Sequence, residues 1–194
     1  PLVGSDYRGT PLFHFEGKIS SFRLDNAQDA TLRASLFWSP SGETRVPTDS
    51  LREQNTVSID VVFPDTFMIN VFQPPAEAVL VPRDPAYGIG LILVYEDRNE
   101  NGVYDPDVAG DLLVGGAFDS VLLYAPADIA KDESPIGLTI PKGFHLVNLP
   151  LNCNPLEQNV KIDPGCAPNI GEPCDGDSEC GLHGVCVKDL TTTL

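Results

Sequence analysis

Apolar residues in this chain recur at every second position and nowhere sustain the 3.6-residue spacing of an amphipathic helix. Phe13, Phe15 and Gly17 to Ile19 form one such run. Leu32, Ala34, Leu36 and Trp38 form a second, with Arg33 and Ser35 on the opposite side. Val57, Ile59 and Val61 mark a third, Phe67, Ile69 and Val71 a fourth, and Ala78 to Val81 a short fifth. Gly88 to Tyr95 is almost wholly apolar, which predicts a central strand buried on both faces. Leu112 to Val114, Val121 to Tyr124 and Phe144 to Leu149 complete the series. Proline (18 residues) and glycine (17) punctuate it, in Ser39-Pro40-Ser41-Gly42, Pro64-Asp65, Gln73-Pro74-Pro75 and Pro82-Arg83-Asp84-Pro85. The expected fold is all-β, an antiparallel β-sandwich of about eight or nine strands. Pro126 to Lys131 has the length for about one helical turn. Ser50-Leu51-Arg52-Glu53 has capping-box spacing but no apolar run behind it. The two longer gaps, 39–56 and 126–143, read as crossover or surface loops.

The five cysteines are Cys153, Cys166, Cys174, Cys180 and Cys186, and none precedes them. That segregation divides the chain into a β-sandwich domain over 1–152 and a Cys-rich tail over 153–194. The tail has too little apolar content to fold on a core of its own and needs covalent help. Zinc is the rival reading, but Cys174, Cys180 and Cys186 are each separated by five residues, wider than a usual zinc ligand pair. A disulfide-stapled C-terminal tail is therefore expected, and with it an oxidising compartment. An odd cysteine is left to be free or to pair outside this chain. A chain beginning at Pro1 is what removal of an export signal would leave.

The net charge of −16 argues against nucleic acid and anionic lipid as partners, since both require clustered Lys and Arg. No run reaches the roughly 18 apolar residues of a transmembrane segment.

Five of the 28 acidic residues fall in the fifteen positions Asp97-Arg98-Asn99-Glu100-Asn101-Gly102-Val103-Tyr104-Asp105-Pro106-Asp107-Val108-Ala109-Gly110-Asp111. A hard cation such as calcium collects six to eight oxygens, and a glycine at the sixth loop position permits the sharp turn between them. Here Asp97, Asn99 and Asn101 offer side-chain oxygens, Val103 a backbone carbonyl, and Asp105 a carboxylate directly or through water. Val108 stands where a bidentate acid would be expected, so Asp107 or Asp111 is left to close the sphere. The competing reading is an Asx-rich turn with no metal. Magnesium, which wants a tighter octahedron with several waters, fits less well. Calcium here would order a strand–loop–strand insertion and would have no catalytic task. Tyr95, Tyr104 and Tyr124 are expected to pack beside the loop.

No nucleophile elbow, phosphate-cradling glycine loop or zinc-protease helix motif occurs. His14, His145 and His183 are scattered, with His14 and His145 expected on strands. Trp38 reads as core or rim packing. The chain is thus expected to be non-catalytic: a calcium-stabilised surface, matrix or filament protein that binds other proteins, itself or glycans. One alternative is a carbohydrate-active hydrolase or accessory glycan-binding module using the calcium end. Another is a protease inhibitor presenting the Cys-rich tail.

The run Leu93-Val94-Tyr95-Glu96-Asp97-Arg98-Asn99-Glu100-Asn101-Gly102-Val103-Tyr104-Asp105, with Val121-Leu122-Leu123-Tyr124 after it and Phe72-Gln73-Pro74-Pro75 before it, resembles secreted, often lipid-anchored proteins of myxobacterial type. Pro173-Cys174, Cys180 and Cys186 are similar to short Cys-rich modules at the ends of such surface proteins. The resemblance implies an extracytoplasmic location, secreted or on the outer surface of a bacterial cell. A lipid anchor, if present, would sit outside this chain. It also implies a transthyretin-like or collagen-adhesin B-like sandwich.

Overall fold

Turn residues cut the chain into short extended segments, and the computed structural model joins them into one hydrogen-bonded ladder. It describes residues 9–21, 31–40, 50–59, 65–117, 120–148 and 185–192. Nine strands lie among the described residues: β1 (Phe13–Ser21), β2 (Leu32–Ser39), β3 (Arg52–Ile59), β4 (Asp65–Val71), β5 (Gly88–Glu96), β6 (Leu112–Ala117), β7 (Ser120–Ala125), β8 (Gly143–Asn148) and β9 (Val185–Thr191). The order is β3-β2-β5-β6-β9-β1-β4. Pairing is antiparallel throughout, except where β9 runs parallel to β6. β3 and β4, the two ends of that path, approach each other, so the ladder curls round on itself.

β5 organises the whole. Along one edge it pairs β2 over its full length, Leu32 facing Glu96 and Ser39 facing Ile89. Its other edge is shared: Leu93 to Glu96 pair β6, whereas Gly88 to Gly90 pair β7, which carries β8. The sheet forks there. As its apolar run predicts, β5 is buried on both faces, and strand parity assigns each residue its side. Ile92 and Val94 join Leu32, Ala34, Leu36 and Trp38 of β2, Phe15 and Ile19 of β1, Phe67, Ile69 and Val71 of β4, and Leu190 of β9. Ile89, Leu91, Leu93 and Tyr95 face a second cluster with Phe37, Leu51, Val121 and Leu123.

Connections, and not only strands, roof that second cluster. Val81 bridges to Tyr87, and Ile129 bridges to Ile140. Ile129 and Ile140 are 0 % and 3 % exposed, so these two residues of the long 126–142 connection cover the core. The helical turn expected at Pro126 to Lys131 gives way to that bridge. The short strand expected at Ala78 to Val81 is a single 3-10 turn, Glu77–Val79. The third strand starts five residues earlier than its apolar pattern suggests, so Arg52 and Glu53 are extended and belong to no helix cap.

Cys153, Cys166, Cys174 and Cys180 lie outside the described residues, as does the side chain of Cys186. Val185–Thr191, from the stretch assigned to the tail, is an inner strand between β6 and β1. Close approach at the fork demands glycine at one position. A Cβ on Gly116 would sit 2.7 Å from the Ile92 carbonyl oxygen and 2.8 Å from Leu93 Cδ2. The carbonyl belongs to a central strand and cannot yield cheaply. Gly116→Ala is expected to cost about 1–3 kcal/mol, measured as a lower denaturation midpoint.

Candidate functional site

The acidic loop begins where β5 runs out of partners. Asp97 N donates to Thr31 O at 2.8 Å, adding one more link between the β5 chain and the chain entering β2. The Asp97 carboxylate is nearly inaccessible, at 1 % exposure. Its Oδ2 accepts Arg33 Nε at 2.6 Å and Gly102 N at 2.8 Å, and its Oδ1 accepts Asn101 N at 3.2 Å. Burial pushes this carboxyl up, but the Arg33 hydrogen bond, the Gly102 amide, the guanidinium charge and the Asn101 amide outweigh it, leaving Asp97 below its ordinary value. Gly102 takes φ +79°, the left-handed turn that lets the chain fold back over Asp97.

Asp111 does the same work at the other end. It is 2 % exposed, with Oδ1 accepting Arg98 N at 3.0 Å and Oδ2 accepting Asp105 N at 2.9 Å. One buried carboxylate thus ties the entry and the middle of the loop to its exit. Between these anchors, Asn99 Oδ1 accepts Asn101 N at 3.1 Å and Asn101 Oδ1 accepts Val103 N at 2.7 Å. Their amide nitrogens meet Asp105: Asn101 Nδ2 donates to Oδ2 at 2.9 Å, and Asn99 Nδ2 to the same oxygen at 3.3 Å. Asn99, Asn101 and Asp105 are therefore brought together. Asp107 is exposed, and so is Val103.

Two residues that fasten the loop were not legible as functional from the sequence. Arg33 faces the loop from β2, opposite Tyr95 in register, and its neighbour Ser35 is fully buried. Glu53 on β3 accepts Tyr104 N on Oε2 at 2.7 Å and the Tyr95 hydroxyl on Oε1 at 3.1 Å. The Tyr95 and Tyr104 rings meet edge-on, with centroids 5.3 Å apart, and both touch Phe37. Burial, then the Asp111 and Asp107 charges, push the Tyr104 phenol above its ordinary value. Tyr124 is elsewhere, against Phe144 at 4.7 Å. The signal for Arg33 and Glu53 was strand parity, but it needs the β2–β5 and β2–β3 registers to be read.

Among the described residues, no three His, Cys, Asp or Glu side chains are already gathered as a metal cluster. The loop is closed by its own amides and by Arg33. Asp97 Oδ1, Asn99 Oδ1 and Asn101 Oδ1 each accept one amide here, which leaves a carbonyl or carboxylate oxygen with a second lone pair. The donor set and the turn at Gly102 are compatible with a hard cation at the exposed lip. His145 Nε2 is hydrogen-bonded to Pro141 O at 2.6 Å on the outer strand β8, and His183 lies outside the described residues. No helix among the described residues is long and apolar enough to cross a membrane.

Fold and site together define an all-β protein carrying a strand-to-strand loop anchored by two buried acids. No protein-family model, curated protein or solved structure matches the chain.

Proposed function

We propose that this is a non-catalytic, extracytoplasmic β-sandwich with a disulfide-stapled tail, stabilised by calcium at the 97–111 loop. Its role is that of a surface, matrix or filament component that binds other proteins, copies of itself or glycans. The observation that carries the reading is the convergence of Asn99, Asn101 and Asp105 above the buried Asp97, around a glycine at φ +79°. Side-chain oxygens of Asp97, Asn99, Asn101 and Asp105 would hold the ion, with the Val103 carbonyl and either Asp107 or Asp111. Calcium would add its charge to the Asp105 carboxylate, which the Asn99 and Asn101 amides cap in this structure. The two buried acids serve the loop's architecture, which favours a binding surface over acid–base chemistry. β8 pairs only β7 among the described residues, and an outer strand of this kind is a ready acceptor for an added strand.

Melting the protein in calcium, in chelator and after calcium is restored tests the metal. Extracellular sites of this type bind at about 0.1–1 mM, so about 10 mM calcium should add roughly 1.5–3 kcal/mol. For a chain of this size that is a reversible shift of about 3–10 °C. An unchanged melt would leave the loop as a metal-free turn held by Arg33 and would remove calcium from the reading.

A further inference from the structure

β9 follows the other eight strands in sequence yet occupies an inner place in the sheet. It pairs β1 from Glu16↔Thr191 to Ser21↔Val185, and β6 from Gly115↔Val185 to Ala117↔Val187. Its Leu190 is 8 % exposed and packs in the cluster with Phe15, Ile19 and Phe67. A Cβ on Gly17 would lie 2.7 Å from Leu190 Cδ2, so Gly17 is the notch that Leu190 fills. The β1–β9 register shifts at that same point, between Glu16 and Lys18. Two backbone edges and one notch thus define a slot for a strand with Leu at this position.

None of these contacts requires that the strand come from the same chain. Residues 149–184 separate β9 from β8, a connection of 36 residues. Fully extended it would reach about 120 Å, against a folded diameter of roughly 40 Å for a chain of this length. As an unstapled coil, a connection of 36 residues would give the chain's own strand an effective concentration of millimolar order or below, and disulfides within it would shorten its reach. A neighbouring copy competes when the protein is crowded or when many chains fold together. We propose that the slot between β1 and β6 is a strand-acceptor site whose alternative occupant is β9 of a second copy. Reciprocal donation closes a dimer, and head-to-tail donation builds an open chain of subunits. The choice of a second copy as partner rests on the assembly reading above.

Two full-length variants test it by complementation: Leu190→Asp, whose strand cannot seat, and Gly17→Val, whose slot cannot accept. Labelled differently and refolded together, they should form a one-to-one complex by sedimentation and energy transfer that neither forms alone. Should either variant fail to fold, the wild-type chain decides. It is refolded with a labelled peptide of residues 184–192 carrying Cys186→Ser. Saturable incorporation is expected, at least tenfold above that of the same peptide with Leu190→Asp. Equal incorporation of both peptides, or of neither, overturns the slot. Wild-type assemblies whose subunits never exchange β9 would likewise overturn it while leaving assembly itself standing. Peptide incorporation with a wild type monomeric at every concentration would overturn the assembly reading, and the second copy with it.

Discussion

Asp97→Ala is expected to lower folding stability by about 3–5 kcal/mol, the usual loss when one member of a buried ion pair is removed. The Arg33 guanidinium would be left beside a vacancy with its side chain only 18 % exposed. The amides of Asn101 and Gly102 would also lose their acceptor. Arg33→Ala should be damaging as well, and the double variant less so than the sum, because each single change already removes the same ion pair. Urea melts of the four proteins measure that coupling. The loss should persist in chelator, which separates the ion pair from any metal effect. Acid should reproduce part of it. The folded carboxyl lies below its ordinary value, so its contribution is present above about pH 4 and fades as pH falls through the folded value. Thermal midpoints of the wild type should accordingly drop more steeply in acid than those of Asp97→Asn. Parallel curves would mean the carboxylate is not what holds the loop.

Trp38→Ala is expected to cost a further-reaching 3–5 kcal/mol or so, the range for removing a buried Trp. The indole is 2 % exposed and lies across the two glycines of β5. A Cβ on Gly88 or Gly90 would come within 3.1 Å and 3.2 Å of its Cζ3. Alanine would leave a cavity between β2 and β5 that those glycines have no side chain to fill. The indole N–H also donates to Gln54 Oε1, and Gln54 Nε2 in turn donates to Gln73 O at 2.6 Å. Trp38→Phe keeps most of the packing and strands only that amide, so it should cost about 1–3 kcal/mol. Because Trp38 is the sole tryptophan, both comparisons are read by circular dichroism and not by fluorescence. Equal losses for Ala and Phe would show that the hydrogen bond outweighs the packing.

Strand periodicity located β1, β2, β4, β5, β7 and β8 closely, because each packs apolar side chains against the core, fully or, in β8, in part, and such a face leaves its mark every second residue. It also anticipated the double burial of β5, where the alternation disappears. β3 was harder to place, since Arg52 to Gln54 carry polar side chains and their extension is imposed by pairing with Phe37 and Trp38. β9 was obscured for another reason: Val185-Cys186-Val187-Lys188-Asp189 alternates weakly and follows a run of cysteines. The loop stood out because acid and amide residues cluster around Gly102. Its fastenings did not, because Arg33 and Glu53 are distant in sequence and only the sheet registers bring them beneath it. Tyr124 was misplaced for the same cause, as β7 pairs the opposite end of β5 from the loop.

The position of β9 also sets a clock. A ribosome makes Val185–Thr191 after every other strand of the sheet, at about 5–20 residues per second. Until then β1 and β6 have no strand between them, and Gly17 has no leucine above it. The sheet described above therefore cannot be completed until the end of the chain has been made. Nascent chains stalled before residue 185 should be cut readily by protease, and those extended past residue 191 by the length of the exit tunnel should resist. Resistance in the shorter chains would show that the sheet closes without waiting.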